Sequence, residues 1–350
     1  MKVDPAVLEA FERQVGWCEG LGSPFTAALL DLTVQDLKSD GPSSEVVAAW
    51  TGGDPVDALV ALRFAAGLTA LVLKGDAPDL AAQFPAPGRA LDRTALWSAA
   101  EPVIHQYKEF LQDYLQFPVQ TNETARAGCL LGGFLWAHKH HPKPLRMLEI
   151  GASAGLIMQW SDYHYDLGGG LTWGNGDSPL TIETEWRGDI PDILRPLTVS
   201  SREGCDINPV DWSDGAQEAR MRSYIWPDMF DRIRRFGTAS KLIKSSGLKV
   251  ETADAADWLA QKLTKPAPGA LTIVHHSYVW TYLPAATAEA LQRIMQEAGT
   301  RATEDAPLAW VRSDPEYVGD APVLKVTLWP GGEATVLGDC HPHGNWLRWH

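Results

Sequence analysis

The stretch Arg146-Met147-Leu148-Glu149-Ile150-Gly151-Ala152-Ser153-Ala154-Gly155-Leu156 decides how this chain is read. A short apolar run ends in an acid and breaks into small residues, the pattern of a strand, a tight turn and a helix start. Glycine at such a turn lets the backbone adopt left-handed conformations and approach a ligand with no Cβ in the way. The helix that follows offers unpaired N–H groups to a charged group. The same letters satisfy Gly-x-Ser-x-Gly, the elbow that presents a nucleophilic serine, here Ser153. The residues on either side have to separate the two readings.

Downstream, three more apolar runs end in polar residues. One over 197–201 leads into Gly204-Cys205-Asp206-Ile207-Asn208-Pro209, and one over 248–252 into Ala253-Asp254-Ala255. The third, Leu271-Thr272-Ile273-Val274, meets His275-His276-Ser277, and a fifth strand is expected over 308–312. Helices are expected over 156–163, over 215–243 with a break at Trp226-Pro227, and over 285–298. Strands that are apolar throughout and alternate with helices indicate a buried parallel sheet. Residues 323–329 and 333–337 flank Pro330-Gly331-Gly332 and read as an antiparallel hairpin. The fold class is therefore α/β, a Rossmann-like doubly wound sheet with an antiparallel C-terminal hairpin.

Upstream, apolar residues recur at helical spacing from Val7 to Lys74, and further helices are expected over 99–115 and 123–140. Asp54-Pro55 reads as a helix opening and Gly75 as a stop. Gly128, Gly132 and Gly133 allow the helix over 123–140 to approach a neighbour closely, and its basic end His138-Lys139-His140 suits a helix C-terminus. The expected organisation is a helical N-terminal cap domain over 1–140 and a Rossmann-like domain over 141–350. The interval from Gly155 to Asp206 far exceeds the roughly 20 residues between turn and ribose-binding acid in a simple dinucleotide unit. An insertion over 168–196 accounts for it.

A net charge of −14, without a long basic run, argues against wrapping a nucleic-acid backbone. The longest apolar stretch, 64–73, is too short to span a bilayer. Cys18, Cys129, Cys205 and Cys340 are scattered, and the first residues do not resemble a signal peptide, so a cytoplasmic protein with reduced thiols is expected. Nothing in the chain specifies an oligomeric state.

In doubly wound sheets ligands sit at the carboxyl ends of the strands. There the turn over Glu149, Gly151, Ser153 and Gly155 would hold a charged tail, Asp206 a ribose, and Asp254 an adenine amino group. This is the layout of an adenosyl-cofactor site. Glu-Ile-Gly-Ala-Ser-Ala-Gly, Gly-Cys-Asp-Ile-Asn-Pro and Ala-Asp-Ala-Ala-Asp-Trp resemble the first three motifs of class I S-adenosylmethionine-dependent methyltransferases. Nearly the whole chain is similar to an uncharacterised bacterial family, domain of unknown function 2332. That resemblance rests on Gln120-Thr121-Asn122-Glu123, the opening turn, Gly204 to Pro209, Trp226-Pro227-Asp228, His275 to Pro284, Trp329 to Gly332 and His341-Pro342-His343-Gly344.

The resemblance implies a methyltransferase acting on a small molecule. S-adenosylmethionine would be bound by Glu149, Gly151, Ser153, Gly155, Asp206, Asn208, Asp254 and Ala255. His276 or His343 is the candidate base, and Tyr278, in the alternating Tyr278, Trp280, Tyr282 series, belongs either to a strand extension or to a substrate wall. Asn122 and Glu123 either open a helix or close over the ligand. Adjacent histidines on a strand point in opposite directions, so no metal is expected. Two alternatives remain: a non-catalytic or regulatory protein that keeps the fold, and a serine hydrolase using Ser153 with His341 or His343 downstream. The position of Ser153 after the first strand argues against the hydrolase.

Overall fold

The computed structural model describes residues 3–316 and 320–350. Helices come first: α1 (Pro5–Gly20), α2 (Pro24–Lys38), α3 (Pro42–Val47), α4 (Val60–Lys74), α5 (Pro78–Ala81), α6 (Arg93–Gln106), α7 (Lys108–Leu115) and α8 (Arg126–His140). Then come β1 (Leu145–Ile150), β2 (His164–Asp166), β3 (Thr172–Gly174), β4 (Thr181–Glu183), β5 (Glu185–Arg187) and β6 (Val199–Asp206). The rest is α9 (Gly215–Ser223), α10 (Phe230–Ser246), β7 (Glu251–Thr252), α11 (Ala255–Lys262), β8 (Leu271–Ser277), α12 (Ala285–Thr300), β9 (Leu308–Asp314), β10 (Val323–Trp329), β11 (Glu333–Cys340) and β12 (Trp346–Trp349). No helix among the described residues is long and apolar enough to cross a membrane.

The chain divides into two compact units, residues 1–121 with 213–234, and residues 122–212 with 235–350. The first is helical. Asp4 caps α1 by accepting the Ala6 N–H, and Gly75 ends α4 in the left-handed conformation, as its place after the apolar run predicts. Phe11 and Phe64 meet edge to face at 5.6 Å in a core shared with Leu30, Leu68 and Leu71. The carboxylate of Asp228 accepts from Ser23 Oγ (2.5 Å) and the Phe25 N–H (2.8 Å), which fastens the segment after α9 to the start of α2.

The second unit is built on a mixed, mostly parallel sheet in the order β5-β12-β11-β10-β9-β8-β1-β6-β7. From β7 to β9 every neighbouring pair is parallel. The chain adds β6 and β7 on one side of β1 and then β8 and β9 on the other, so strand order reverses between β1 and β8, the kind of point where open α/β sheets bind ligands. The antiparallel hairpin β10–β11 is found where expected, and the sheet continues into β12 and then β5, which pairs parallel with β12. The insertion after β1 carries its own small sheet, β3-β2-β4.

Helices cover both faces. Leu148, Ile150, Val274 and Trp310 pack with Leu259 of α11 and Leu291 and Met295 of α12. The other face meets α8, and its glycines allow the contact. A Cβ on Gly133 would lie 2.5 Å from Val311, one on Gly132 2.9 Å from Leu347, and one on Gly128 2.0 Å from Thr184. Helix α8, which ends at His140, falls in the sheet unit.

Several local expectations are corrected. The segment after the turn is a six-residue 3-10 helix, Ile157–Asp162, rather than an α-helix over 156–163. Side chains satisfy its backbone: Asn122 Oδ1 accepts the Leu156 N–H (2.8 Å) and Tyr163 donates its hydroxyl to the Leu156 carbonyl (2.5 Å). Asn122 therefore does not open α8, whose first residue is Arg126. Asp54 accepts the Val56 and Asp57 N–H groups, closing a turn ahead of α4. Residues Trp280–Tyr282 form a 3-10 turn and do not extend β8, because Asp314 takes the N–H groups of Val279 and Trp280.

Candidate functional site

Because β1 is central, its end is flanked in register by β6 and β8. Ile150 is paired with Cys205, and Glu149 with Gly204 on one side and His275 on the other. The turn that follows places Gly151 (φ +66°), Ser153 (φ +53°) and Gly155 (φ +72°) in the left-handed region. A Cβ on Gly151 would stand 2.4 Å from Val279, so that glycine is required by close packing. The Ser153 N–H donates to Asp206 Oδ2 and the Asn208 N–H to Asp206 Oδ1, both at 2.9 Å. One carboxylate thereby holds the turn after β1 and the turn after β6 together. Ile207, between Asp206 and Asn208, is 77% exposed. Asp254 accepts the N–H groups of Ala256 (2.8 Å) and Asp257 (3.2 Å), which makes it the N-cap of α11, with Ala255 the first helical residue.

Beneath the turn, on the α8 face, several polar atoms are buried without a hydrogen-bond partner among the described residues: Glu149 Oε2, Ser153 Oγ, His275 Nδ1 and Trp160 Nε1. Glu149 is 3% exposed, and burial, helped by the nearby Asp206, pushes its carboxyl well above the usual carboxylate range. Burial lowers His275 to about 3, with His276 adding to the effect. The imidazole is therefore uncharged at neutral pH, and burial favours the protonated form of the carboxyl. Phe134 of α8 packs against His275 (5.0 Å) and Trp160 (4.8 Å) and closes this region from water.

His276 points to the opposite face, as strand alternation requires. Its Nε2 accepts the Trp310 indole N–H at 3.1 Å, and its Nδ1 lies 2.8 Å from Asp314 Oδ2, somewhat off the line of an ideal hydrogen bond. Trp280 stacks on the ring. Burial works to raise Asp314, but His276 and the N–H groups of Trp280 and Val279 outweigh it and hold the carboxylate below its ordinary value. His276 thus faces a protein partner at each nitrogen, whereas a base needs one nitrogen facing an acceptor.

The other three predicted catalytic residues gather at the start of α8 through a residue the sequence reading missed. Arg126 lies 3.9 Å over the ring of Tyr278 and donates from Nε to the Pro342 carbonyl (2.9 Å). Tyr278 has φ +56°, and burial, opposed by Arg126, pushes its hydroxyl up to about 12. Glu123 accepts the Ala125 N–H (3.1 Å) and lies 3.4 Å from Arg235 Nη2. The His343 N–H donates to His341 Nδ1 (3.1 Å), and Gly344 sits so close to Ala125 that a Cβ would fall 2.3 Å from its carbonyl carbon. A signal for Arg126 was present: a cation in the first turn of a helix, where the macrodipole disfavours it, asks for a compensating role.

The described non-glycine residues with positive φ are Asp40, Leu59, Asn122, Ser153 and Tyr278. The last three belong to this rim: Asn122 holds Leu156, Ser153 shapes the turn, and Tyr278 carries Arg126. Such conformations cost about 1–3 kcal/mol each and cluster where a site demands them. No curated protein matches the chain in sequence. A family model described as "Uncharacterized protein conserved in bacteria (DUF2332)" matches residues 8–349, and the chain belongs to that family.

Proposed function

We propose that the sheet unit binds S-adenosylmethionine at the turn after β1 and transfers its methyl group to a small molecule, on a methyltransferase-like variant of the doubly wound fold. The observation that carries this reading is the left-handed glycine turn at the reversal of strand order, with Asp206 ending the neighbouring strand and bonded to the Ser153 N–H. The residues fit such a cofactor: Ser153 Oγ and Glu149 Oε2 are buried hydrogen-bonding atoms without a partner among the described residues. Gly151, Ser153 and Gly155 would take the amino-acid tail, with Glu149 as an uncharged hydrogen-bond donor. Asp206 and Asn208 would take the ribose, and Asp254 and Ala255 the base. When bound, S-adenosylmethionine supplies an electrophilic methyl carbon. The chain's own part is to hold the acceptor among Tyr278, Arg126 and Glu123 and to take its proton. That last role falls to His343, since His276 is committed elsewhere. Isothermal titration with S-adenosylmethionine and S-adenosylhomocysteine at millimolar concentration tests this; heat of binding that is lost in Asp206→Ala is expected, and absence of binding to the folded protein removes the reading.

One observation favours the serine hydrolase as a second reading: Ser153 has the strained left-handed backbone of a nucleophile elbow. It ranks second because, among the described residues, the Ser153 hydroxyl has no imidazole within hydrogen-bond distance, and a serine nucleophile needs an adjacent base. Labelling of Ser153 by a fluorophosphonate probe would reverse the order.

A further inference from the structure

Two of the four cysteines meet. Cys129, in the first half of α8, points its thiol at the β11–β12 edge, 3.4 Å from the Trp346 carbonyl, which also accepts the N–H of His341 at 2.9 Å, and the thiol of the preceding Cys340 is its neighbour there. Cys340, the last residue of β11, pairs across the ladder with Leu347, the neighbour of Trp346. The contact exists because Gly128 and Gly132, either side of Cys129 on α8, let the helix sit against Thr184 and Leu347. Cys18 and Cys205 have no such company: the thiol of Cys18 is approached by Gln14, and Cys205 is buried under the turn after β1.

We propose that Cys129 and Cys340 are a redox pair that a peroxide converts into a reversible disulfide joining α8 to the end of β11. One thiolate attacks a peroxide oxygen; the O–O bond breaks, a water leaves, and that sulfur becomes a sulfenic acid. The second sulfur then attacks the first, the S–S bond forms, the S–O bond breaks and a second water leaves. Two thiols and one hydrogen peroxide give one disulfide and two waters. A peroxide is small enough to reach buried sulfur, which a bulky disulfide oxidant is not. The neighbouring thiol and burial hold Cys129 in its protonated form, so oxidation at neutral pH is slow and rises with pH. The link would tie together two segments that carry rim residues: Arg126 lies one turn before Cys129, and the His341-Pro342-His343 loop follows Cys340 directly.

The test uses the folded full-length protein. It is treated with hydrogen peroxide, quenched with catalase, unfolded, alkylated with N-ethylmaleimide and mapped by mass spectrometry. The expected result is a Cys129–Cys340 linked peptide lighter by two hydrogens, abolished by dithiothreitol, with Cys18 and Cys205 alkylated. In Cys340→Ser, Cys129 is expected to stop at a sulfenic acid that dimedone traps. Alkylation of both Cys129 and Cys340 under peroxide that oxidises Cys18 or Cys205 would overturn the proposal. So would a dimedone adduct persisting on either residue in the unsubstituted protein, because it would show a sulfenic acid with no resolving thiol.

Discussion

On the sheet face covered by α11 and α12, His276 accepts from Trp310 and faces Asp314, whose other oxygen holds the loop after β8. On the face covered by α8, His275 leaves Nδ1 without a partner among the described residues, next to a buried Glu149 in the same condition, in which burial favours the protonated carboxyl. The two histidines are consecutive on one strand and equally buried, yet one faces a partner at each ring nitrogen while the other leaves Nδ1 without one among the described residues. Closed polar networks make a scaffold rigid, while a buried group left open calls for a water or a ligand. The contrast separates the part of the unit that supports the rim from the part where a bound molecule would add hydrogen bonds.

The largest effect is expected on the closed face. Asp314→Ala takes the acceptor from two part-buried donors, the Val279 and Trp280 N–H groups, and removes the carboxylate that the buried His276 Nδ1 faces. Urea unfolding at pH 7 should show a loss of about 3–5 kcal/mol; a loss below ~1 kcal/mol would mean the network is not what holds this loop.

The open face predicts two pH slopes of opposite sign. The His275 imidazole stays neutral in the folded protein down to about 3, whereas the unfolded chain takes up a proton below its ordinary 6.5. Stability is fully present above that value and falls, by up to about 1.4 kcal/mol per pH unit, as pH drops from 6.5 towards 3. His275→Gln should flatten this stretch of the curve, and an unchanged slope would place the acid sensitivity elsewhere. Glu149 works the other way. Its folded carboxyl keeps its proton while the unfolded one ionises above 4.5, so its contribution is whole below 4.5 and declines as pH rises. Glu149→Gln should therefore gain on the unsubstituted protein between pH 5 and 7, at up to about 1.4 kcal/mol per unit; a variant that falls behind would show that Glu149 is ionised when folded. The smallest effect belongs to Asp254, whose visible work is to cap α11. Asp254→Ala should cost about 1 kcal/mol in thermal or chemical unfolding, and a much greater loss would mean the carboxylate does more than cap.

Much of the framework could be read from short stretches. Glu149 to Gly155 announced a strand and a left-handed turn, Gly75 a helix end, Pro330-Gly331-Gly332 a hairpin, and Gly128, Gly132 and Gly133 a helix pressed against a neighbour. Each signal is local, set by backbone freedom and by the spacing of apolar side chains. The adjacency of His275 and His276 likewise required opposite faces. What those faces contained was not readable. That His276 meets Trp310 and Asp314 depends on β9 pairing with β8, and the grouping of Arg126, Tyr278 and Pro342 depends on the chain returning past β11 to the start of α8.

The same limit explains the missed 3-10 segment. Residues 156–163 have an acceptable helical pattern, but Asn122 and Tyr163 take the Leu156 N–H and carbonyl that an α-helix would have used. Backbone conformation at glycine, proline and capping residues follows from neighbours in the chain, so it is written in the letters themselves. The state of a buried carboxyl or imidazole follows from whichever groups the fold brings against it. For Glu149, His275, His276 and Arg126 those groups lie on other strands and helices, and only their packing settled which are satisfied and which are left open.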